Sequence, residues 1–396
     1  MSAVEFISPY LYNTAYYIFF LIICWLTVLY HVGSSTQKIL YAESDLIKIL
    51  AVVLTVAVTL YLGLRQVSGQ FIDMPMYAFS YEQLEPFYRP MSFSTEWLWT
   101  NIAVFCKRNG FNINEYFLVI EMVYIGGMFI FAWKTMRNNM WLMMLFFLIA
   151  FQAYSFATNG IRNGMACSVE LMAFAFLLKA ENSSFNRNIA FVLFFLALGC
   201  HRSTMLPTVA AIASYYYVKE TKLAIRFWLA SIAISLVAGP LVEQFFVSLG
   251  FDNRMEQYSS ANMTEGLASN FSATGFRFDF LLYSAAPVIF IWYVTRYRHF
   301  TERGFMMLAN TYLLCNAFWI MVIRSAFSNR FAYLSWFIYP IIFAYPLLRM
   351  NLWKDQDRRT ALTFFFYSGF TFFMFFIYYY GSSGFRGFDI YWWKRI

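Results

Sequence analysis

Long apolar runs alternate along this chain with short polar connections. A bilayer crossing takes about 20 mostly apolar residues, and runs near or above that length lie at 10–31, 46–64, 114–133, 140–158, 161–178, 188–200, 204–218, 224–248, 278–295, 304–323, 331–348 and 360–380. The pattern predicts an all-α polytopic integral membrane protein of about twelve transmembrane helices, with residues 1–396 forming a single transmembrane domain. The sixth and seventh runs are short. Only Cys200-His201-Arg202-Ser203 separates them, so a broken or kinked hairpin is expected there. The first run follows no Lys or Arg and no small-residue cleavage site, which predicts an anchor and not a cleaved signal peptide.

Two connections are longer, 65–113 and 249–277. In the first, Pro86 and Pro90 exclude one continuous helix. Ser94-Thr95-Glu96-Trp97 then reads as a capped helix start with Glu96 in the first turn. The apolar stretch that follows, to Cys106, is too short to span. It predicts an amphipathic helix lying in the membrane interface, anchored by Trp97 and Trp99.

Composition agrees with this outline. Of 396 residues, 61% are hydrophobic and 13% charged, against roughly 25% charged in soluble domains. The net charge of +8 would suggest nucleic acid in a soluble protein; here it is read through the tendency of cytoplasmic loops to carry Lys and Arg. With the N-terminus outside, every inner loop carries basic residues, from Lys38 and Lys48 in the first to Arg349, Lys354, Arg358 and Arg359 in the last. No nucleic-acid partner is expected. The five cysteines are dispersed and read as buried small hydrophobes.

The outer basic residues are of a different kind. They are mostly Arg, and Arg65, Arg162, Arg202, Arg277, Arg324 and Arg330 sit at helix ends. Each can snorkel to lipid phosphates. Six on one side favour a shared anionic site, because the guanidinium fork binds phosphate bidentately. Asn159, Arg162 and Asn163 stand at i, i+3 and i+4 and would share a helix face, with Glu170 continuing the stripe inward. Glu121 and Glu243 are further intramembrane acids. His201 is the one outer histidine; its neutral imidazole can take a proton from a sugar hydroxyl while Arg202 holds an adjacent phosphate. Asp73, Glu85 and Glu96 are the outer carboxylates that can otherwise serve as bases, or pair with the arginines. No zinc pattern, P-loop or Rossmann glycine pattern is present, and no cofactor is expected. Asp355-Gln356-Asp357 has an Asp-x-Asp form, but in a short basic inner loop it is read as a solvated turn.

In order, Gly63-Leu64-Arg65 with Gly69, Asp73 and Tyr77; Glu96 before Lys107-Arg108-Asn109-Gly110; Ile161-Arg162-Asn163-Gly164-Met165-Ala166; and His201-Arg202-Ser203 resemble the EpsG-like family of bacterial exopolysaccharide polymerases, relatives of the Wzy polymerases. The likeness runs over roughly residues 50 to 210. The gap from Gly69 to Asp73 is longer than the family's usual one, and Asn163 stands where Gln is common. The resemblance implies a GT-C-like architecture and an enzyme in the bacterial cytoplasmic membrane with its active site facing outward. It implies metal-independent glycosyl transfer between undecaprenyl-pyrophosphate-linked oligosaccharides, with a chain-length regulator and a flippase as partners alongside membrane lipid. His201, Asp73 and Glu96 are then the catalytic candidates, and Arg65, Tyr77, Asn159, Arg162, Asn163, Arg202, Arg277, Arg324 and Arg330 the substrate-binding ones. An O-antigen ligase-like enzyme and a lipid-linked oligosaccharide flippase are the alternatives. A flippase places its charges near the bilayer midplane, whereas these arginines gather at outer helix ends.

This orientation predicts that Gly69→Cys is labelled by an impermeant thiol reagent only from outside and Lys354→Cys only from inside; labelling of both from one side would contradict it.

Overall fold

The computed structural model describes residues 7–33, 43–92, 95–181, 183–248, 276–324 and 328–379. It is helical, with no strand among the described residues. The helices are α1 Pro9–Gly33, α2 Asp45–Gly63, α3 Met74–Glu82, α4 Trp97–Arg108, α5 Ile113–Thr135, α6 Met140–Leu148, α7 Ala153–Thr158, α8 Ile161–Leu177, α9 Ser184–Cys200, α10 Met205–Tyr216, α11 Thr221–Ser248, α12 Phe278–Tyr297, α13 Arg303–Met321, α14 Ser328–Trp336, α15 Tyr339–Arg349 and α16 Gln356–Phe373. Inside lipid a backbone must bond to itself, which makes helices of apolar runs like these.

Among the described residues, eight segments are long and apolar enough to cross a membrane: α1, α2, α5, Thr221–Gly239 of α11, α12, α13, Arg330–Arg349 and Gln356–Ile377. The other four expected spans are helical but shorter or interrupted. The run 140–158 is split into α6 and α7, α8 and α9 have 17 residues each, and α10 has 12. Of the twelve expected spans, eight are thus full-length among the described residues, and the other four are shorter helices that length and composition alone do not make crossings. The second long connection, 249–277, lies almost wholly outside the described residues, as do both chain ends and the side chain of Glu243.

The split between α6 and α7 is supported by its neighbours. Carbonyls released there accept hydroxyl protons from other helices: Phe146 from Tyr367 at 2.8 Å, Leu148 from Tyr16 at 2.6 Å and Ile149 from Thr371 at 2.9 Å. Gln152, also buried, donates to the Trp336 carbonyl at 2.7 Å. Non-helical backbone at membrane depth is tolerated where protein satisfies it in this way. The residues around the split form the centre of the main core.

A second buried knot joins the C-terminal half. Asn316 on α13 donates to Ser284 Oγ (3.1 Å) and Ser335 Oγ (2.9 Å) and accepts from Trp228 Nε1 (2.8 Å), linking α11, α12, α13 and α14. Trp336 Nε1 adds a bond to Ser284 Oγ at 2.8 Å. Such interhelical bonds replace the hydrophobic drive that lipid removes. The Asp-x-Asp segment differs from expectation. Asp355 is exposed and bonds Arg359 at 2.7 Å, but Asp357 lies within α16 and is buried, because the first turn of that helix packs inward.

Close helix approach explains one glycine. α5 lies against α8, and a Cβ on Gly127 would stand 2.9 Å from the Ser168 carbonyl carbon. Gly126, on the neighbouring face, meets nothing within 4 Å. Gly127→Ala is expected to destabilise the detergent-purified protein by about 1–3 kcal/mol through overpacking, while Gly126→Ala is neutral or stabilising by up to about 1 kcal/mol. Thermal unfolding of the two variants checks the pair.

Candidate active site

The starts of α4 and α8 meet the end of α9, and the first long connection supplies what joins them. α3 and α4 are held as a unit: Lys107 Nζ binds the Tyr81, Glu82 and Leu84 carbonyls at 3.1, 2.7 and 2.6 Å, a cation on carbonyls at the C-terminal end of α3. Tyr81 stacks on Tyr116 of α5 at 4.6 Å, and its hydroxyl donates to the Phe111 carbonyl at 2.8 Å. Tyr77 meets Trp99 edge-on at 5.8 Å, and Trp99 meets Tyr116 at 5.9 Å. α4 is accordingly packed on α5 and α9 by Trp97, Ala103, Val104 and Cys106, not merely laid in the interface.

Glu96 occupies the residue before α4, not its first turn, and its side chain caps nothing. The carboxylate is spent elsewhere. One oxygen accepts from Arg162 Nη1 and the other meets His201 Nδ1. The three side chains are 20%, 19% and 16% exposed, covered but reachable. The contact depends on Trp97. Its indole lies on Gly199, where a Cβ would stand 2.8 Å away, so α4 starts directly over the end of α9. That places Glu96, one residue earlier, against His201, two residues later. His201 itself breaks the chain between α9 and α10 with extended backbone (φ −154°, ψ 121°), the expected interruption.

Asn159 belongs to the same assembly by another route. The expected helical stripe through Asn159, Arg162 and Asn163 is cut at Gly160, so Asn159 ends α7 and turns to accept the Asp73 backbone N–H at 3.3 Å. Ile72, just before Asp73, has φ +52°, a strained conformation for a β-branched residue. Asn163 stays on α8 and accepts from Cys167 Sγ at 3.4 Å. Glu170 is fully buried and accepts from Thr208 Oγ1 at 2.7 Å, inside the bundle.

The remaining arginines are dispersed. Arg65 is 1% exposed; it bonds Glu121 Oε1 at 3.2 Å and the Leu62 carbonyl, with the Phe71 and Phe117 rings beside it. Its ion-pair partner is Glu121, whereas that of Arg162 is Glu96. Arg202 lines a separate crevice of about 80 Å3 with Trp97, Gly199 and Met205. Arg277 is held bidentately by Asp279 at 3.0 and 2.7 Å and lies over Phe280. Arg324 packs its stem on Gly239 and lies 5.8 Å from the Phe276 ring. Arg330 is half-buried on α14, a helix that packs on the 202–204 turn. Of the six, Arg162 is the one that shares the Glu96 carboxylate with the histidine.

A cavity of about 300 Å3 opens beside Asn159. Its lining includes Tyr10, Asn13, Tyr17, Gln70, Phe151, Tyr154, Ser155, Tyr333 and Phe375, with no charged side chain among the described residues. Aromatic faces, amides and hydroxyls suit uncharged polar rings. Sequence reading missed this cavity, since its residues come from α1, the 69–72 turn, the α6–α7 split, α14 and α16. Among the described residues no three His, Cys, Asp or Glu side chains gather as a metal-ligand set.

The family model described as the EpsG family matches residues 48–391, most of the chain. No curated protein and no solved structure matches significantly.

If Arg65 serves the fold through Glu121, Arg65→Met destabilises by about 3–5 kcal/mol, because it leaves a buried carboxylate unpaired, and Arg65→Met with Glu121→Met recovers most of the loss. Unfolding of the single and double variants in detergent measures this.

Proposed function

Since the chain belongs to the EpsG family, we propose that it is an exopolysaccharide polymerase of the Wzy type. It joins undecaprenyl-pyrophosphate-linked repeat units on the outer face of the bacterial cytoplasmic membrane. The observation that carries this reading is the single carboxylate of Glu96 held between Arg162 and His201. A carboxylate on Nδ1 fixes the tautomer that leaves Nε2 as a base, the role a buried acid plays toward histidine in hydrolytic triads. The acceptor sugar hydroxyl gives its proton to Nε2 as its oxygen attacks the anomeric carbon of the donor. The bond from that carbon to the pyrophosphate oxygen breaks, and the lipid pyrophosphate leaves with the electron pair.

Arg162 receives the developing charge. One of its nitrogens is committed to Glu96, which orients the guanidinium and leaves its other donors for phosphate oxygens. Arg202, adjacent in sequence to the base, lines the crevice over Trp97 and Gly199 and is the second cation we assign to the phosphates. The uncharged aromatic cavity beside Asn159 offers stacking faces and amides for the acceptor's sugar rings. Asn159 connects that cavity to Asp73, so sugar occupancy on one side and the outer loop on the other are linked.

Purified His201→Ala, assayed on lipid-linked repeat units in liposomes, is expected to lose 10²- to 10⁴-fold in polymerisation rate while remaining folded and inserted. Arg162→Lys is expected to be impaired as well, since a point charge does not replace the fork. A near wild-type rate for His201→Ala would move the base elsewhere.

A further inference from the structure

The end of the bundle opposite Glu96 holds a cavity that the transfer reaction does not use. α8 runs from Arg162 at one end to this cavity at the other, a separation of roughly 25 Å at 1.5 Å per residue. The cavity measures about 1070 Å3, at the top of the ~300–1,000 Å3 range of small-molecule sites. Lys134, Arg137, Lys179 and Arg349 line it.

Its charge is unbalanced. Glu302 is the one acid in the lining, and it is taken by Arg349 at 3.2 Å and by the Tyr345 hydroxyl at 2.5 Å. Among the described residues no carboxylate comes within ion-pair distance of Lys134, Arg137 or Lys179. Three like charges facing one space repel each other unless an anion lies between them. Part of the wall is apolar and lies beside the cations, because Ile130, Trp133 and Lys134 share one stripe of α5. Trp133 is 52% exposed, Ile130 is beside it on α5, and Lys134 Nζ sits 4.0 Å from the centre of the Phe176 ring. Basic loops alone satisfy the inside-positive tendency; convergence of three unpaired cations on one cavity with an aromatic wall goes beyond it.

We propose that this cavity binds the headgroup of an anionic phospholipid. Its phosphate lies among Lys134, Arg137 and Lys179, and its acyl chains run along Ile130 and Trp133. A soluble anion would use the cations and leave the apolar wall unoccupied. A lipid uses both, and basic pockets between transmembrane helices are suited to such headgroups.

The test is native mass spectrometry of the delipidated full-length protein, titrated with phosphatidylglycerol, phosphatidylcholine or inorganic phosphate. The wild type is expected to retain phosphatidylglycerol in preference to the other two. Lys134→Gln/Arg137→Gln/Lys179→Gln is expected to bind it about 100-fold more weakly, from the contribution of each basic side chain near an anionic headgroup. The charge-conserving Lys134→Arg/Arg137→Lys/Lys179→Arg retains binding, which separates loss of the site from loss of the fold. Lys222→Gln/Arg296→Gln/Arg358→Gln removes as much charge from other exposed positions and is expected to leave binding unchanged. Equal loss in that control, wild-type binding by the first triple variant, or binding of inorganic phosphate as tight as that of the lipid would each overturn the proposal.

Discussion

The Glu96 carboxylate is placed to hold two helix ends at once. One oxygen takes Arg162 at the start of α8 and the other takes His201 at the end of α9. Both partners are oriented by the same carboxylate. The 65–113 connection therefore does more than cover the site. Lys107 on the α3 carbonyls, Tyr81 on Tyr116, and Trp97 on Gly199 fix the loop against the bundle. Each of them serves to bring Glu96 to a point between two helices that are otherwise joined by their own packing.

Broken helices recur around this point. α6 gives way to α7, α7 to α8 at Gly160, and α9 to α10 at His201. Continuous helices would carry their side chains in fixed stripes and bury every backbone group. The interruptions release Asn159 toward Asp73 and leave His201 free to face Glu96. Their carbonyls are answered by Tyr16, Tyr367 and Thr371, so irregular backbone persists within an apolar core. The helices tied by Asn316, Ser284, Ser335 and Trp336 meet the α6–α7 split through the bond from Gln152 to the Trp336 carbonyl.

Much of the fold could be read from hydropathy, because lipid leaves an apolar run of this length almost no alternative to a helix. The α6–α7 split could not. Ile149-Ala150-Phe151-Gln152 has neither Pro nor Gly, and the partners that stabilise it come from α1, α14 and α16. The site was legible as residue types at helix ends: Glu96, Arg162 and His201 each stood out, and the break at His201 was visible as four polar-leaning residues between two short runs. Their mutual contact was not, since 66 and 105 residues separate Glu96 from its partners. Arg65 looked equivalent to Arg162 in sequence. It differs because Glu121 lies on the facing side of α5 and takes it into the interior. The Arg277 pairing was legible in sequence, for its partner Asp279 is two residues away.

The central claim is that Glu96 and His201 act as one unit in glycan transfer. Polymerisation rates of purified Glu96→Gln, His201→Gln and the double variant test it most directly, because residues acting together give non-additive losses. The account predicts that the double variant is no slower than the slower single variant. Losses that multiply would show the two residues working independently and contradict it.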